Sequence, residues 1–148
     1  MNTVGSIVKD REVFTVQRDQ TVLEAVKYMV EKEIGAVAVL EAGRLVGIFS
    51  ERDLMKRVIA QGFDPQKVLV EEVMTRNIVM ARPEESYASC LAKMQNHNIR
   101  HLVIASEDRL LGVISLRDLM IIDIKEKSAE IEMMNAYLHY VPPRTEEP

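Results

Sequence analysis

One stretch of this sequence occurs twice. Residues 43–55 read Gly-Arg-Leu-Val-Gly-Ile-Phe-Ser-Glu-Arg-Asp-Leu-Met, and residues 108–120 read Asp-Arg-Leu-Leu-Gly-Val-Ile-Ser-Leu-Arg-Asp-Leu-Met, with eight of thirteen positions identical. The same offset of 65 residues pairs Thr21 with Ser86. A self-match at a fixed period is the signature of duplicated structural units. The chain is therefore predicted to fold as two repeats.

Each repeat has roughly sixty residues, which make only a marginal core on their own. The two repeats are therefore expected to pack together as one module. The predicted boundaries are residues 1–66 for the first repeat, 67–124 for the second, and 125–148 for a C-terminal helix and tail.

The order of predicted elements in each repeat is β-α-β-β-α. Short strands are expected at residues 13–16 and 78–81. Continuous apolar runs at residues 36–40 and 102–105 predict strands that are buried on both faces. The fold class is thus α+β, with two β-α-β-β-α repeats related by pseudo-twofold symmetry and an extra C-terminal helix.

Helix starts are marked by side chains that cap the backbone. Thr21-Val-Leu-Glu24 has the pattern of a capping box, and Ser86 takes the place of Thr21 in the second repeat. After the second repeat the apolar pattern continues to about Tyr140 and is rich in methionine. We expect this last helix to be buried against its own domain or a twin subunit, the alternative being a docking surface for a foreign partner.

Composition excludes several classes of function. The formal net charge is −4, and the nineteen Lys and Arg are scattered, so nucleic acid is not an expected partner. No apolar stretch approaches the roughly 20 residues that cross a bilayer, and the first residues lack a secretory signal pattern. A cytoplasmic protein with no membrane partner is predicted.

Residues typical of catalysis or metal binding are few. The single cysteine, Cys90, falls on the apolar side of a predicted helix and is expected to be a buried small side chain. His97 and His139 have no partners at metal-ligand spacing, so no metal site is predicted. There is no paired base and nucleophile, and the chain is not expected to be an enzyme.

The repeated Ser-x-Arg-Asp at the start of the second helix of each repeat has two interpretations. Ser50 with Asp53 forms a variant capping box, which is purely structural. Arg52, however, faces the positive end of the helix dipole, an arrangement that a bound anion would make favourable. The same alternatives apply to Ser115, Arg117 and Asp118.

These residues resemble a known family. The repeated Gly-h-h-Ser-x-Arg-Asp (h, apolar), the strands at residues 34–40 and 99–104, and the joint at residues 72–78 are similar to a tandem pair of cystathionine-β-synthase (CBS) domains, or Bateman module. The resemblance covers residues 3–122. It implies a regulatory module that binds AMP, ADP, ATP, or sometimes NAD or S-adenosylmethionine, in clefts between the repeats, with no metal required.

The resemblance also implies roles for individual residues. In the family the Asp of the motif holds the ribose and the Ser three residues earlier holds phosphate, and each cleft is completed by the first strand of the other repeat. Arg100 and His101 occupy positions of basic phosphate ligands, where the first repeat has Gly35 and Ala36. We therefore predict a tighter site at Val13, Thr15, Arg100, His101, Ser115, Arg117 and Asp118, and a weaker or empty one at Ser50, Arg52, Asp53, Ile78 and Met80.

Two functions follow as expectations. The first is a non-enzymatic sensor of adenosine nucleotides that forms a homodimer, a disc of four CBS units, and regulates an unidentified protein. The second is a dimerisation adaptor that binds no nucleotide and acts through its C-terminal helix.

Overall fold

The computed structural model describes residues 3–107 and 109–140 and contains two three-stranded sheets. The strands are β1 (Thr15–Gln17), β2 (Ala36–Glu41), β3 (Arg44–Ser50), β4 (Met80–Ala81), β5 (His101–Ser106) and β6 (Arg109–Ser115). The helices are α1 (Val4–Val8), α2 (Val22–Lys32), α3 (Glu51–Asp53), α4 (Val70–Val73), α5 (Tyr87–His97) and α6 (Leu116–Leu138), and α3 continues as a π-helical segment, Leu54–Ile59. The predicted tail after Tyr140 lies outside the described residues.

The two sheets have the same topology. In the first, β1 is parallel to β2, with α2 as the crossover, and β2 is antiparallel to β3. In the second, β4, β5 and β6 repeat this order and these directions. Both hairpins shift register at one place, between Val39 and Leu40 and between Ile104 and Ala105, which are 65 residues apart. The predicted mixed fold with two like repeats is confirmed.

The duplication extends to the backbone at the ends of helices. Thr21 and Ser86 cap α2 and α5 as predicted, each accepting a hydrogen bond from an amide three residues on. Both helices end at a residue in the left-handed conformation, Glu33 (φ 56°) and Asn98 (φ 51°). A left-handed residue stops a helix by turning the chain away from its axis. Residues 65 positions apart in the sequence thus adopt the same backbone conformation.

The two parallel edge strands are shorter than predicted. The strands expected at residues 13–16 and 78–81 begin at Thr15 and Met80, because each pairs with its neighbour over only three and two residues. Pairing, which the local sequence does not reveal, sets where an edge strand begins.

The helix α1 packs against the sheet of the second repeat, although it precedes the first. The Val4 amide donates to the Glu85 carbonyl and the Gly5 amide to the Pro83 carbonyl, both at 2.8 Å. Val8 lies so close to Gly112 of β6 that an added Cβ there would be 3.2 Å from the valine Cβ. Residues predicted as part of the first repeat therefore complete the second.

The linker between the repeats completes the first sheet in the same way. The Val70 amide donates to the Gln20 carbonyl at 2.9 Å. Ile48 of β3 and Thr75 exchange two backbone hydrogen bonds of 3.0 and 2.8 Å. The second sheet is thus covered by α1, which precedes the first sheet in the chain. The first sheet is covered by the linker that joins the two repeats.

The central strands lie in the core. Residues 36–39 of β2 and 102–105 of β5 are buried, as their apolar runs predict. Phe49, Val58 and Val70 belong to one cluster that draws on β3, the π-helical segment and α4. Cys90 is fully buried, as predicted, and burial together with the nearby Glu85 charge raises the pKa of its thiol. Its reactive thiolate form is therefore disfavoured.

The chain divides into two compact units, with the boundary between Leu116 and Arg117. The second unit contains all of α6 except its first residue. Leu119 is buried, but every residue from Lys127 to Tyr140 is exposed. Ile131, Met133 and Met134 are exposed in the single chain, and the expectation that the chain's own domain or a twin subunit covers this face stays a prediction. Among the described residues, no helix is long and apolar enough to cross a membrane.

Substitution of Gly47 tests the contact between β3 and the linker. A Cβ atom there would lie 2.5 Å from Met74 Sδ and 3.0 Å from the Thr75 carbonyl oxygen. Gly47→Ala is expected to lower the free energy of unfolding by about 1–3 kcal/mol, because it overpacks this contact. Urea denaturation measures the loss. The double variant with Met74→Ala should lose less than the sum of the single variants, and strict additivity would contradict the interpretation.

Substitution of Glu85 tests the start of α5. Burial alone would raise the pKa of this carboxyl, but hydrogen bonds from Lys93, the Arg82 amide and Ser89 outweigh it and hold the pKa below its ordinary value of 4.5. A lowered pKa means that the carboxylate stabilises the fold above pH 4.5 and that this contribution fades as the pH falls through the folded-state pKa. Glu85→Gln is therefore expected to cost about 1 kcal/mol at pH 7.

The cost of Glu85→Gln should shrink as the pH falls below the ordinary carboxyl value, as measured by urea denaturation at several pH values. The neighbouring Glu84 is exposed, and Glu84→Gln is the matched control. An equal cost at pH 7 and pH 3 would rule out a contribution from the charge.

Candidate functional site

Asp53 is a buried carboxylate at the start of α3. It is 6% exposed, the one buried charged residue among those described. Ser50 donates to Asp53 Oδ2 through both its amide, at 3.0 Å, and its hydroxyl, at 3.1 Å. The Asp53 amide donates to the Ser50 hydroxyl oxygen at 3.3 Å. The capping-box interpretation of the repeated motif is therefore confirmed for the first repeat.

The linker between the repeats also holds this carboxylate. The Thr75 hydroxyl donates to Asp53 Oδ1 at 3.1 Å, and Arg57 Nε lies 3.6 Å from the same oxygen. The guanidinium of Arg57 also donates to the Met74 carbonyl at 2.9 Å. The carboxylate therefore ties the helix that follows β3 to the linker.

A cavity of about 480 Å³ opens beside Asp53. This volume is within the range of small-molecule sites, about 300–1,000 Å³. Both repeats line it, and the lining residues are Gly35, Ile48, Ser50, Glu51, Arg52, Asp53, Lys56, Arg57, Thr75, His97, Asn98, Ile99, Arg100 and His101.

Positive charge predominates around the cavity, although the whole chain has a formal net charge of −4. Its charged lining residues are four cations and two carboxylates, accompanied by two histidines, and they are Arg52, Lys56, Arg57, Arg100, Glu51, Asp53, His97 and His101. Arg52 joins the repeats directly, because its guanidinium donates to the Asn98 carbonyl at 3.0 Å. A cleft lined by one sign of charge concentrates ions of the other sign. The cavity is suited to an anion.

The room for His101 in this cavity comes from a glycine. A Cβ atom at Gly35 would overlap the carboxyl oxygen of Glu51 and lie 3.3 Å from His101 Nε2. The first repeat thus lacks a side chain where the side chains of Glu51 and His101 converge.

The predicted residues of the first motif, Ser50, Arg52 and Asp53, lie together in this cavity. Arg100 and His101, which are predicted for the cleft of Asp118, also line this cavity. Other predicted residues lie elsewhere. Ile78 is half-buried and Met80 is exposed in β4, and neither lines the cavity.

Val13 and Thr15 line a second, more open depression. Its other residues include Ser106, Glu107 and Arg109 of the second hairpin. Ser115 is the last residue of β6, and Asp118 follows in the first turn of α6. Arg117 is exposed, and with Asp118 it belongs to the second unit of the chain. The cleft proposed for Asp118 stays a prediction.

Several cavity residues are not predicted by the sequence patterns. Lys56 and Arg57 lie one helical turn after Asp53, so their spacing could have indicated them. Thr75 and Asn98 reach the cavity only through tertiary contacts, for which the local sequence has no signal. No group of three or more His, Cys, Asp or Glu is placed to hold a metal ion in residues 3–107 or 109–140.

Comparison with known proteins agrees with this organisation. The family model described as "CBS domain" matches residues 4–60 and 70–124. A CBS domain-containing protein of Bacillus subtilis, YhcV, is 36% identical over 133 residues, which cover 88% of this chain and 94% of that protein.

Solved structures share the fold. A putative signal-transduction protein with CBS domains from Burkholderia ambifaria has a TM-score of 0.76 and 35% identity, and the match covers 80% of this chain and 91% of that one. A CBS domain pair in complex with 5′-methylthioadenosine and S-adenosyl-L-methionine has a TM-score of 0.77 and 25% identity, with 85% and 98% covered.

Removal of the Thr75 hydroxyl tests how the carboxylate is held. Thr75→Val keeps the shape of the side chain but removes the donor to Asp53 Oδ1, so it is expected to cost about 1–3 kcal/mol of unfolding free energy. Urea denaturation without added anions provides the measurement. Thr15→Val, a like substitution in β1, is the control and should change stability by less than about 0.5 kcal/mol. Equal effects of the two variants would show that the Thr75 hydroxyl does not support the carboxylate.

Proposed function

Because this chain belongs to the CBS-domain family and carries two copies of the domain, we propose that it is a regulatory module, without catalytic activity, that binds an adenosine nucleotide beside Asp53. The observation that carries the proposal is the cavity in which a buried carboxylate and four cationic side chains lie together. A nucleotide has the matching parts, a ribose diol that donates hydrogen bonds and phosphates that carry negative charge.

The cations account for the anionic end of the ligand. Arg52, Lys56, Arg57 and Arg100 line the same cavity, and Arg guanidinium groups bind phosphate oxygens through paired hydrogen bonds. Phosphate would therefore occupy the side of the cavity where the two repeats face each other. A solved neighbour that holds S-adenosylmethionine and methylthioadenosine supports the adenosine part, since both ligands contain it.

The carboxylate of Asp53 is the group for the ribose. Its Oδ2 already accepts two hydrogen bonds from Ser50, whereas Oδ1 accepts one from Thr75 at 3.1 Å. A carboxylate oxygen has about two acceptor sites, so a ribose hydroxyl would either share Oδ1 with Thr75 or displace it.

Regulation would follow from the position of the cavity between repeats. Ser50 and Asp53 come from the first repeat, and Arg100 and His101 come from the second. A ligand that contacts both favours the arrangement that suits it best and shifts the population toward that arrangement. The homodimer, the disc of four units and the regulated protein remain parts of the proposal.

The ranking of the two sites remains a prediction. The sequence predicts the tighter site at Asp118, because the family resemblance implies that Arg100 and His101 lie there. Since both residues line the cavity of Asp53, the reason for ranking this cavity second is weakened. Paired variants decide the order.

The experiment that tests the proposal is a thermal melt with AMP, ADP, ATP, NAD or S-adenosylmethionine. An excess of about a hundred times the dissociation constant stabilises the folded state by about 2.7 kcal/mol, or roughly 5–10 °C for a chain of this size. Asp53→Asn should abolish the increase in melting temperature that is due to ligand binding in this cavity. Asp19 is exposed, and Asp19→Asn is the matched control.

Calorimetric titration of Asp53→Asn and Asp118→Asn ranks the sites. A larger loss of affinity in Asp118→Asn would agree with the sequence-based order, and a larger loss in Asp53→Asn would reverse it. No shift with any ligand would refute the sensor and favour the nucleotide-independent adaptor, for which the exposed part of α6 from Lys127 onward is the supporting observation.

A further inference from the structure

The second carboxylate of the cavity, Glu51, lies against the wall that the second repeat supplies. Glu51 is the first residue of α3, and its amide donates to the Gly35 carbonyl at 3.0 Å. A Cβ atom added at Gly35 would overlap the Glu51 carboxyl oxygen and would lie 3.3 Å from His101 Nε2. The carboxyl group of Glu51 and the imidazole of His101 therefore approach the same point in the cavity.

The same backbone contact occurs in the second repeat with different side chains. The Leu116 amide donates to the Arg100 carbonyl at 2.7 Å, and these two residues follow Glu51 and Gly35 by 65 positions. The contact forms with leucine as well as with glutamate, so the fold alone does not require a carboxylate there. Both Glu51 and Arg100 line the cavity. The first repeat thus adds a negative charge to the cavity that receives the arginine of the second.

The position of Glu51 makes its charge unfavourable for a bound anion. Asp53, the other carboxylate, is buried and accepts a hydrogen bond from the Thr75 hydroxyl at 3.1 Å. Glu51 is exposed, and its carboxyl group lies next to His101, the neighbour of Arg100 in the chain. A phosphate held by Arg100 would lie within about a Debye length of Glu51, roughly 8 Å at physiological salt, and like charges at that range repel. Glu51 therefore subtracts from the attraction that the four cations exert.

We propose that Glu51 weakens anion binding in this cavity and thereby sets which nucleotide the site favours. The proposal rests on the proposed function, since it concerns the ligand of the same cavity. Repulsion by one carboxylate grows with the negative charge of the ligand. Glu51 therefore lowers the affinity for ATP more than the affinity for AMP, and it reduces the advantage that three phosphates have over one among the cations.

Calorimetric titration of the full chain with AMP and with ATP, in buffer without divalent cations, tests the proposal. Glu51→Gln removes the charge and keeps the shape, so the affinity for ATP should rise about three- to tenfold. The affinity for AMP, which carries fewer negative charges, should rise less. Glu51→Leu, which introduces the residue of the second repeat, should act in the same direction. Glu31 is exposed on α2 and does not line the cavity, so Glu31→Gln is the matched control and should leave both affinities unchanged.

Titration with inorganic tripolyphosphate separates this proposal from the proposed function, because tripolyphosphate carries the phosphate charge without the adenosine. Glu51→Gln should bind it more tightly than the wild-type chain, and the difference should shrink between about 0.05 M and 0.5 M salt as the charges are screened. Arg100→Gln should weaken its binding if it occupies this cavity. Tighter tripolyphosphate binding by Glu51→Gln, without nucleotide binding by either chain, would refute the adenosine sensor and support the role of Glu51.

Three results would overturn the proposal. The first is weaker nucleotide binding by Glu51→Gln, which would make Glu51 a group that contacts the ligand favourably. The second is a ratio of ATP affinity to AMP affinity that is the same in the wild-type chain and in Glu51→Gln. The third is tripolyphosphate that binds neither chain, or binds both equally, since the carboxylate would then not oppose an anion in this cavity.

Discussion

The structure depends on the exchange of short segments between the repeats. Val4 and Gly5 bond to the chain just before α5, and the linker around Thr75 bonds to β3. Glycines at equivalent places, Gly47 and Gly112, allow these segments to approach the sheets, because any larger side chain would meet Met74 or Val8. The first sheet needs the linker to cover it, and the second sheet needs α1. Two marginal cores thus become one stable module.

The same exchange builds the candidate site. It brings Thr75 to the carboxylate of Asp53, while Arg52 reaches the end of α5 at Asn98. The cavity therefore has walls from both repeats, and its cations come from two separate stretches of chain. A buried carboxylate in such surroundings is held by donors on two sides, which keeps its oxygens in a fixed direction. Precise orientation is what a binding site for a diol needs.

Local features were predictable from sequence, and tertiary ones were not. The repeat period, the caps at Thr21 and Ser86 and the buried central strands all depend on residues close together in the chain. The contacts of Thr75 and the convergence of Arg100 with Asp53 depend on how the repeats pack, which no short pattern encodes. The burial of the Met-rich face was inferred from apolar content alone. An apolar face indicates that a helix packs against another surface, but it does not indicate which surface that is.

The exchanged segments also impose an order on folding. The linker follows directly on the sheet that it covers, so the first repeat can be finished as soon as the chain has reached Thr75. The helix α1, by contrast, is made first but must wait for a docking surface roughly 80 residues further along. Closing such a long loop costs conformational entropy. The contacts of α1 can offset that cost only after the second hairpin has formed. The second sheet is therefore expected to be completed after the first.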